Sequence, residues 1–295
     1  MIIKKILREA KKIIYDPLNY FPDLITDIKK DLAIQNFREK HNFIWCCGLP
    51  KSGSSLIEDI FDKLPYVRVD TSSIRNYENS DLDHPHGISG AMFKAIPKNK
   101  LSFLKTHTHY DAKYMNIAEN YDAKIIVSLR DLRDVMISRY FHVMNEKIHW
   151  QHKYIKDLDF EAGFKKSLTY FDHTQKDKPI VTNYNWIKNW LENYNSNKNL
   201  ILWYEDYIEH PVKYISEIIE FTKIKEINPE KLYEKIKDQK KYDLSLEKNF
   251  SRYGKRKSTF RKGKSGSWKK LFNEEIEKCF YQNLPGNIDK VLKNN

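Results

Sequence analysis

The sequence predicts an α/β fold, a single domain over residues 1–295 in which a central parallel sheet is flanked by helices. Three observations predict it. Short apolar runs of strand length alternate with stretches whose apolar residues recur at helical spacing. One such run, Phe43 to Cys47, breaks at Gly48 into a loop of small residues with a lysine and then into a helical pattern. Three successive runs also deliver basic or titratable residues at their ends: Lys51, the Lys105/His107 pair and Arg130. A parallel sheet collects such residues along one edge, where ligands of open α/β sheets bind.

Composition bounds the function. The 295 residues suffice for one substantial core. Hydrophobic residues at 40% and aromatics at 14% exclude a disordered chain. The formal charge of +12 suits a polyanionic ligand, nucleic acid or an anionic membrane, and does not choose among them. Cys46, Cys47 and Cys279 are too few for a disulfide framework, and two of them fall in a buried strand; reduced thiols and a cytoplasmic location are expected. No apolar stretch approaches the length of a membrane span, and charges interrupt every short apolar run near the start, so no secretory leader is expected.

Residues 1–40 read as a helical extension packed on or beside the domain. Ile3, Ile6, Leu7, Ala10, Ile13 and Ile14 share one helical face, and Lys4, Lys5, Arg8, Lys11 and Lys12 share the other. Two seats fit this pattern: packing on its own domain with a solvated basic face, the commoner outcome, or lying on anionic lipid at the inner membrane face. Asp16-Pro17 ends the pattern, and a second helix is expected from Leu18 to Phe37.

The loop Pro50-Lys51-Ser52-Gly53-Ser54-Ser55 then enters a helix whose core face carries Leu56, Ile57, Ile60 and Phe61. Strand, small-residue loop and helix make a phosphate cradle of the P-loop kind: backbone N–H groups point inward, the helix dipole stands behind them, and Lys51 adds a charge. Spacing alone also allows an ordinary strand-to-helix turn. In nucleoside-triphosphate loops the lysine follows the glycine, whereas Lys51 precedes Gly53, so a standard ATP or GTP site is not expected.

Val67 to Val69 fits a short strand. Residues Asp70 to Lys100 form a polar excursion with Pro85, Gly87, Gly90 and Pro97 and one short helix near Ala91 to Ile96, the pattern of a substrate loop or lid. A strand at Leu101 to Leu104 runs into Lys105-Thr106-His107-Thr108-His109, and another at Ala123 to Leu129 delivers Arg130 and a helix opening at Asp131 to Asp134. His149 to Asn197 is helical and aromatic, with Trp186 and Trp190 read as core. Asn199 to Trp203 is a strand ending in Tyr204-Glu205-Asp206, followed by helices at Ile208 to Ile219 and Pro229 to Lys237. Between Arg252 and Lys270 lie nine basic residues and no acidic one, interleaved with Gly254, Gly263 and Gly266, a composition able to fold over bound phosphate.

Five segments, in order, resemble motifs of cytosolic-type sulfotransferases. Pro50 to Leu56 resembles their PKSGTTW loop. Lys105-Thr106-His107 is similar to their K-T/S-H segment, and Leu129 to Val135 with Ser138 to His142 to their second cofactor motif. Trp203 to Asp206 is similar to their YED segment, and Arg261 to Lys269 resembles their RKGxxGDWK motif. The resemblance implies transfer of a sulfuryl group from 3′-phosphoadenosine 5′-phosphosulfate (PAPS) to a hydroxyl or amine, with PAP as product and no metal. It implies that Lys51, Ser52, Gly53, Ser54 and Ser55 hold the 5′-phosphosulfate, and that Arg130, Ser138 and Arg261-Lys262-Gly263 hold the 3′-phosphate. By the same resemblance Tyr204 contacts adenine and His107 is the base, with Lys51, Lys105 and Ser138 beside it in the catalytic set. The chemistry is consistent: an imidazole can take the acceptor proton, and fixed cations favour charge moving onto the leaving phosphate.

The chain departs from the family at Leu56, where a tryptophan usually stacks on adenine, and at Ser267, which replaces the aspartate of GDW. The family's short Thr-Val dimer motif is missing after Trp268. His109 is a rival to His107, since strand alternation would put both on one face. Two other functions compete. A kinase-like phosphotransferase would use ATP, with Asp131 as the carboxylate for magnesium; a non-catalytic basic protein would bind polyanions or membrane. Phenol, alcohol, sugar and lipid acceptors stay open, no nucleic-acid partner is expected, and the oligomeric state is not read.

Overall fold

Five apolar runs pair side by side into one sheet, every pairing parallel. The computed structural model describes residues 43–64, 67–69, 88, 101–172, 177–224, 227–237, 264–286, 289 and 291–293. The expected N-terminal helices, the excursion between the second and third strands apart from Ile88, and Arg261-Lys262-Gly263 lie outside the described residues.

The strands are β1 (Phe43–Gly48), β2 (Val67–Val69), β3 (Leu101–Thr106), β4 (Lys124–Leu129) and β5 (Asn199–Trp203), in spatial order β2-β3-β1-β4-β5. The chain builds β2 and β3 on one side of β1 and then crosses to build β4 and β5 on the other. That reversal splits the connections leaving β1 and β4 and opens a crevice at their carboxyl ends. Register fixes what meets there: Cys46 stands beside Lys105, Cys47 beside Thr106, and Gly48 beside Ser128.

Helices cover both faces, so β1 is buried throughout and reads as a continuous apolar run. Ile44 and Cys46 face one layer, formed by α1 (Ser54–Asp62) and by residues of three later helices, with Phe61 stacked on Phe103. Trp45 and Cys47 face the other, against Met136, Phe164, Trp186 and Trp190. This second layer contains α2 (Ala112–Asn120), α3 (Leu132–Asn145), α4 (His152–Ile155), α5 (Phe160–Thr169) and α6 (Pro179–Glu192). Burial pushes the Cys46 thiol up to about 12 and Cys47 well above its ordinary range, so both stay protonated packing groups.

Two boundaries differ from the sequence reading. Strand β3 continues through Thr106, which makes Lys105 a strand residue with its side chain toward α1. The helix expected over Ile208 to Ile219 is two: α7 (Tyr204–Glu209) and α8 (Pro211–Thr222), broken at His210. Pro211 lacks an N–H and disfavours helical backbone in the residue before it, so it starts a helix and cannot continue one. The segment 229–237 is helical, and α9 (Glu274–Gln282) closes the second layer. Among the described residues no helix is long and apolar enough to cross a membrane.

Candidate active site

Four segments converge on the carboxyl edge: the loop after β1, the end of β3, the end of β4 and the chain around Lys264 to Lys270. The loop after β1 is held in a conformation few side chains adopt. Lys51 has φ 74° and Gly53 has φ 89°, both left-handed. For a lysine this is strained, and strain of this kind persists where surrounding contacts over-determine it. Alternating handedness curls successive N–H groups into an anion-binding hollow. Helix α1 begins at Ser54 with no side-chain cap, so its first-turn N–H groups and its positive dipole end point into the same hollow.

Two glycines make the loop fit. A Cβ on Gly48 would lie 2.3 Å from the Ser54 Cβ, and one on Gly53 would lie 2.5 Å from the Tyr204 ring. Ser52 belongs to the scaffold: its hydroxyl donates to the Ser128 carbonyl at 2.8 Å, and the Ser128 hydroxyl donates to the Ser52 carbonyl at 2.9 Å. These bonds tie the loop to β4. Ser54 is buried beside Gly48, whereas Ser55 is exposed and accepts a hydrogen bond from Lys105.

Arg130 follows β4 directly. Its guanidinium donates to the carbonyls of Lys51 at 3.3 Å and Lys264 at 2.9 Å, lies over the Tyr204 ring at 4.8 Å, and pairs with Asp134 at 3.5 Å. Its Nε is buried and has no acceptor among the described residues. Burial and then the nearby Arg130 pull the Lys51 ammonium below the ordinary lysine range. Two cations pressed together in a half-buried hollow, one with an unsatisfied donor, fit an anionic ligand with more than one charged group.

His107 sits just past β3. Its Nδ1 lies 2.5 Å from the Gly48 carbonyl oxygen, an acceptor only, so Nδ1 carries the proton and Nε2 is the basic nitrogen. The backbone here is pinned from below: Trp186 Nε1 donates to the His107 carbonyl and Trp190 Nε1 to that of Thr108. The two tryptophans read as core are therefore core, and they also set the height of the histidine segment. His109 is exposed and, like His107, lies just past β3, on the side opposite the buried Thr106 and Thr108. Ser138 is half-buried in α3, and its hydroxyl makes no hydrogen bond among the described residues.

Three carboxylates organise this edge. Asp134, in the first turn of α3, accepts the N–H groups of Gly266 at 2.7 Å and Trp268 at 3.2 Å. It supplies the loop support that Ser267 cannot, and an acid suits that end of the helix. Asp131 caps α3 through the Arg133 N–H, pairs with the Arg133 guanidinium at 2.6 Å, and accepts the Lys293 N–H. Both its oxygens are engaged, which disfavours it as a magnesium ligand. Arg133 in turn lies 3.6 Å from the Trp268 ring centre.

Glu205, the third, lines a cavity of about 180 Å³ with Asp131, Arg133, Ser265 and Lys293. One oxygen accepts from Asp131 N–H at 3.3 Å and the other has no partner among the described residues. Burial raises its pKa to about 7, against the lowering effect of backbone N–H groups and Arg130. A raised native pKa means the folded chain holds the proton more tightly than the unfolded one. Its contribution to stability is full below about 4.5 and is lost as pH rises through about 7. Glu205→Gln is therefore expected to be more stable than the parent at pH 8 by roughly 3 kcal/mol at most, and equal to it near pH 4. Denaturant unfolding at the two pH values measures the difference.

The model of the sulfotransferase domain family matches residues 41–284. Sulfotransferase 1 family member D1 of Mus musculus is 28% identical over 285 residues, covering 88% of each chain. Sulfotransferase 1C2 of Homo sapiens is 23% identical over 281 residues, covering 86% of each. In fold, the chain is similar to mouse sulfotransferase SULT7A1 complexed with PAP, with a TM-score of 0.59 at 18% identity over 86% of this chain and 87% of that one. It is also similar to retinol dehydratase in complex with androsterone and inactive cofactor PAP, with a TM-score of 0.53 at 18% identity over 84% and 81%.

Proposed function

This chain belongs to the sulfotransferase family and is a sulfotransferase, and on that premise we propose that PAPS is its donor and a small-molecule hydroxyl or amine its acceptor. The observation that carries this reading is the convergence of Lys51, Lys105, His107 and Arg130 at the edge where the strand order reverses. The strained loop and the first turn of α1 hold the 5′-phosphosulfate, with Ser52 fixing the loop and Ser54 and Ser55 at the helix start. Arg130, whose buried Nε lacks an acceptor among the described residues, holds the 3′-phosphate, with Ser138 and Arg261-Lys262-Gly263 on the same group. Tyr204 borders the adenosine and lies beneath the Arg130 guanidinium, 4.8 Å from its ring centre.

The donor supplies the sulfuryl group: the acceptor oxygen–sulfur bond forms as the bond from sulfur to the bridging oxygen breaks. His107 takes the acceptor proton at Nε2 while Gly48 holds its other nitrogen. Lys51 and Lys105 set positive charge where negative charge grows on the leaving phosphate, so protein cations and no metal serve that step. The PAP in two neighbouring folds supports the donor assignment, and androsterone in one supports a small acceptor. Residues 144–182 are expected to shape the acceptor pocket, and Ile148 and Phe171 stand exposed in that stretch, which supports an acceptor with an apolar body. The buried protonated thiols favour a cytoplasmic site of action.

The test is transfer of label from sulfur-labelled PAPS to a panel of phenols, alcohols, sugars and amines. Label on at least one acceptor is expected, and its loss in His107→Gln. Phosphate transfer from ATP in place of label transfer would contradict the reading.

A further inference from the structure

The lysine at the end of β3 is already engaged by a carboxylate that nothing above uses. Lys105 Nζ forms an ion pair with Glu58 Oε2 and donates to Ser55 Oγ at 3.3 Å. Glu58 lies three residues after Ser55 on α1, so the two share the helix face that looks at β3. Both partners of the pair are about three-quarters buried, with side chains 24% and 22% exposed, so salt screens it less than a surface pair. Lys105 thus bridges the start of the phosphate-loop helix to the strand that carries His107.

A carboxylate one helical turn from an anion hollow opposes anion binding. The hollow otherwise gathers Lys51, Lys105 and Arg130, a surplus of positive charge that would retain a multiply charged product. A fixed acid beside one of these cations gives that cation a second partner.

We propose that Glu58 is a positioning residue, a resident counter-anion that holds Lys105 when the hollow is empty and draws it back after transfer, hastening departure of the bisphosphate product. The role rests on the donor assignment made above. Lys105 exchanges Glu58 for the ligand's anionic oxygen on binding and returns on release; no bond to carbon, sulfur or phosphorus changes. The exchange limits affinity in the ground state, and Glu58 opposes the product as strongly as the donor's phosphate end.

The experiment measures adenosine 3′,5′-bisphosphate binding by calorimetry and its dissociation by stopped flow, using the full chain, Glu58→Gln, Glu58→Asp, Lys105→Ala and the double variant Glu58→Gln/Lys105→Ala. Glu58→Gln is expected to bind about five- to tenfold tighter and to release more slowly by a similar factor. Glu58→Asp stays close to the parent. In the Lys105→Ala background Glu58→Gln has no further effect, because the two residues act as one unit. A purely structural role for Glu58 predicts the opposite sign, a loosened α1 and weaker binding. Unchanged or weaker binding in Glu58→Gln, or equal tightening without Lys105, overturns the inference while parental binding upholds the donor. A parent chain that does not bind the bisphosphate overturns the donor assignment and this role with it.

Discussion

Lys51→Ala is expected to lower the transfer rate by about a hundred- to a thousandfold, the loss typical when one preorganised donor to a developing charge is removed. The residue is placed for that role at some strain: its backbone is left-handed at φ 74°, and its ammonium is depressed by burial and by Arg130. The depressed ammonium disfavours a lysine in the empty chain and favours it when an anion is present, whereas the left-handed backbone disfavours alanine equally. The variant should therefore fold at least as well as the parent while losing activity. Single-turnover rates at saturating PAPS, read beside thermal unfolding, separate the two effects. Lys51→Arg is not expected to restore the rate, since a planar fork does not replace a compact point charge in a half-buried turn. A loss confined to KM would show that Lys51 binds donor and transition state equally.

His107→Gln is expected to reduce kcat by about a hundred- to ten-thousandfold, the range for loss of a general base. Binding of adenosine 3′,5′-bisphosphate should be unchanged, because the role proposed for His107, held at the Gly48 carbonyl, is toward the acceptor and not the nucleotide. His109→Gln is the control. It lies past the strand and exposed, and its loss should leave kcat within about twofold, as for a surface substitution away from the site. Reversal of the two effects would move the base to His109.

How much of this was legible in the sequence depends on whether a residue acts through its neighbours in the chain or across the sheet. The strand-loop-helix at 43–62 and the strands ending near Lys105 and Arg130 are local patterns, and the structure places them within one or two residues of the reading. Trp186 and Trp190 were read as core from their four-residue spacing, and they are. Their indole bonds to the carbonyls of residues 107 and 108 span some eighty positions and leave no periodic trace. Asp134 is similar: beside Arg130 it reads as a simple pair, and only the fold brings Gly266 and Trp268 to its oxygens. Glu58 had a signal, since it stands one turn beyond Ser55, but an acid on a helix face is ordinarily solvated, and its partner arrives from another strand. The break at Pro211 was legible and was passed over, because the apolar spacing on either side of it remains in phase.

The central claim is that the hollow is built for a nucleotide bearing a 3′-phosphate. Calorimetry of adenosine 3′,5′-bisphosphate against ATP and adenosine 5′-monophosphate, with and without magnesium, tests it most directly, with Arg130→Ala alongside. The account predicts metal-independent binding at least about tenfold tighter for the bisphosphate, with that preference abolished in Arg130→Ala. Preference for ATP with magnesium, or indifference to the 3′-phosphate, would contradict it.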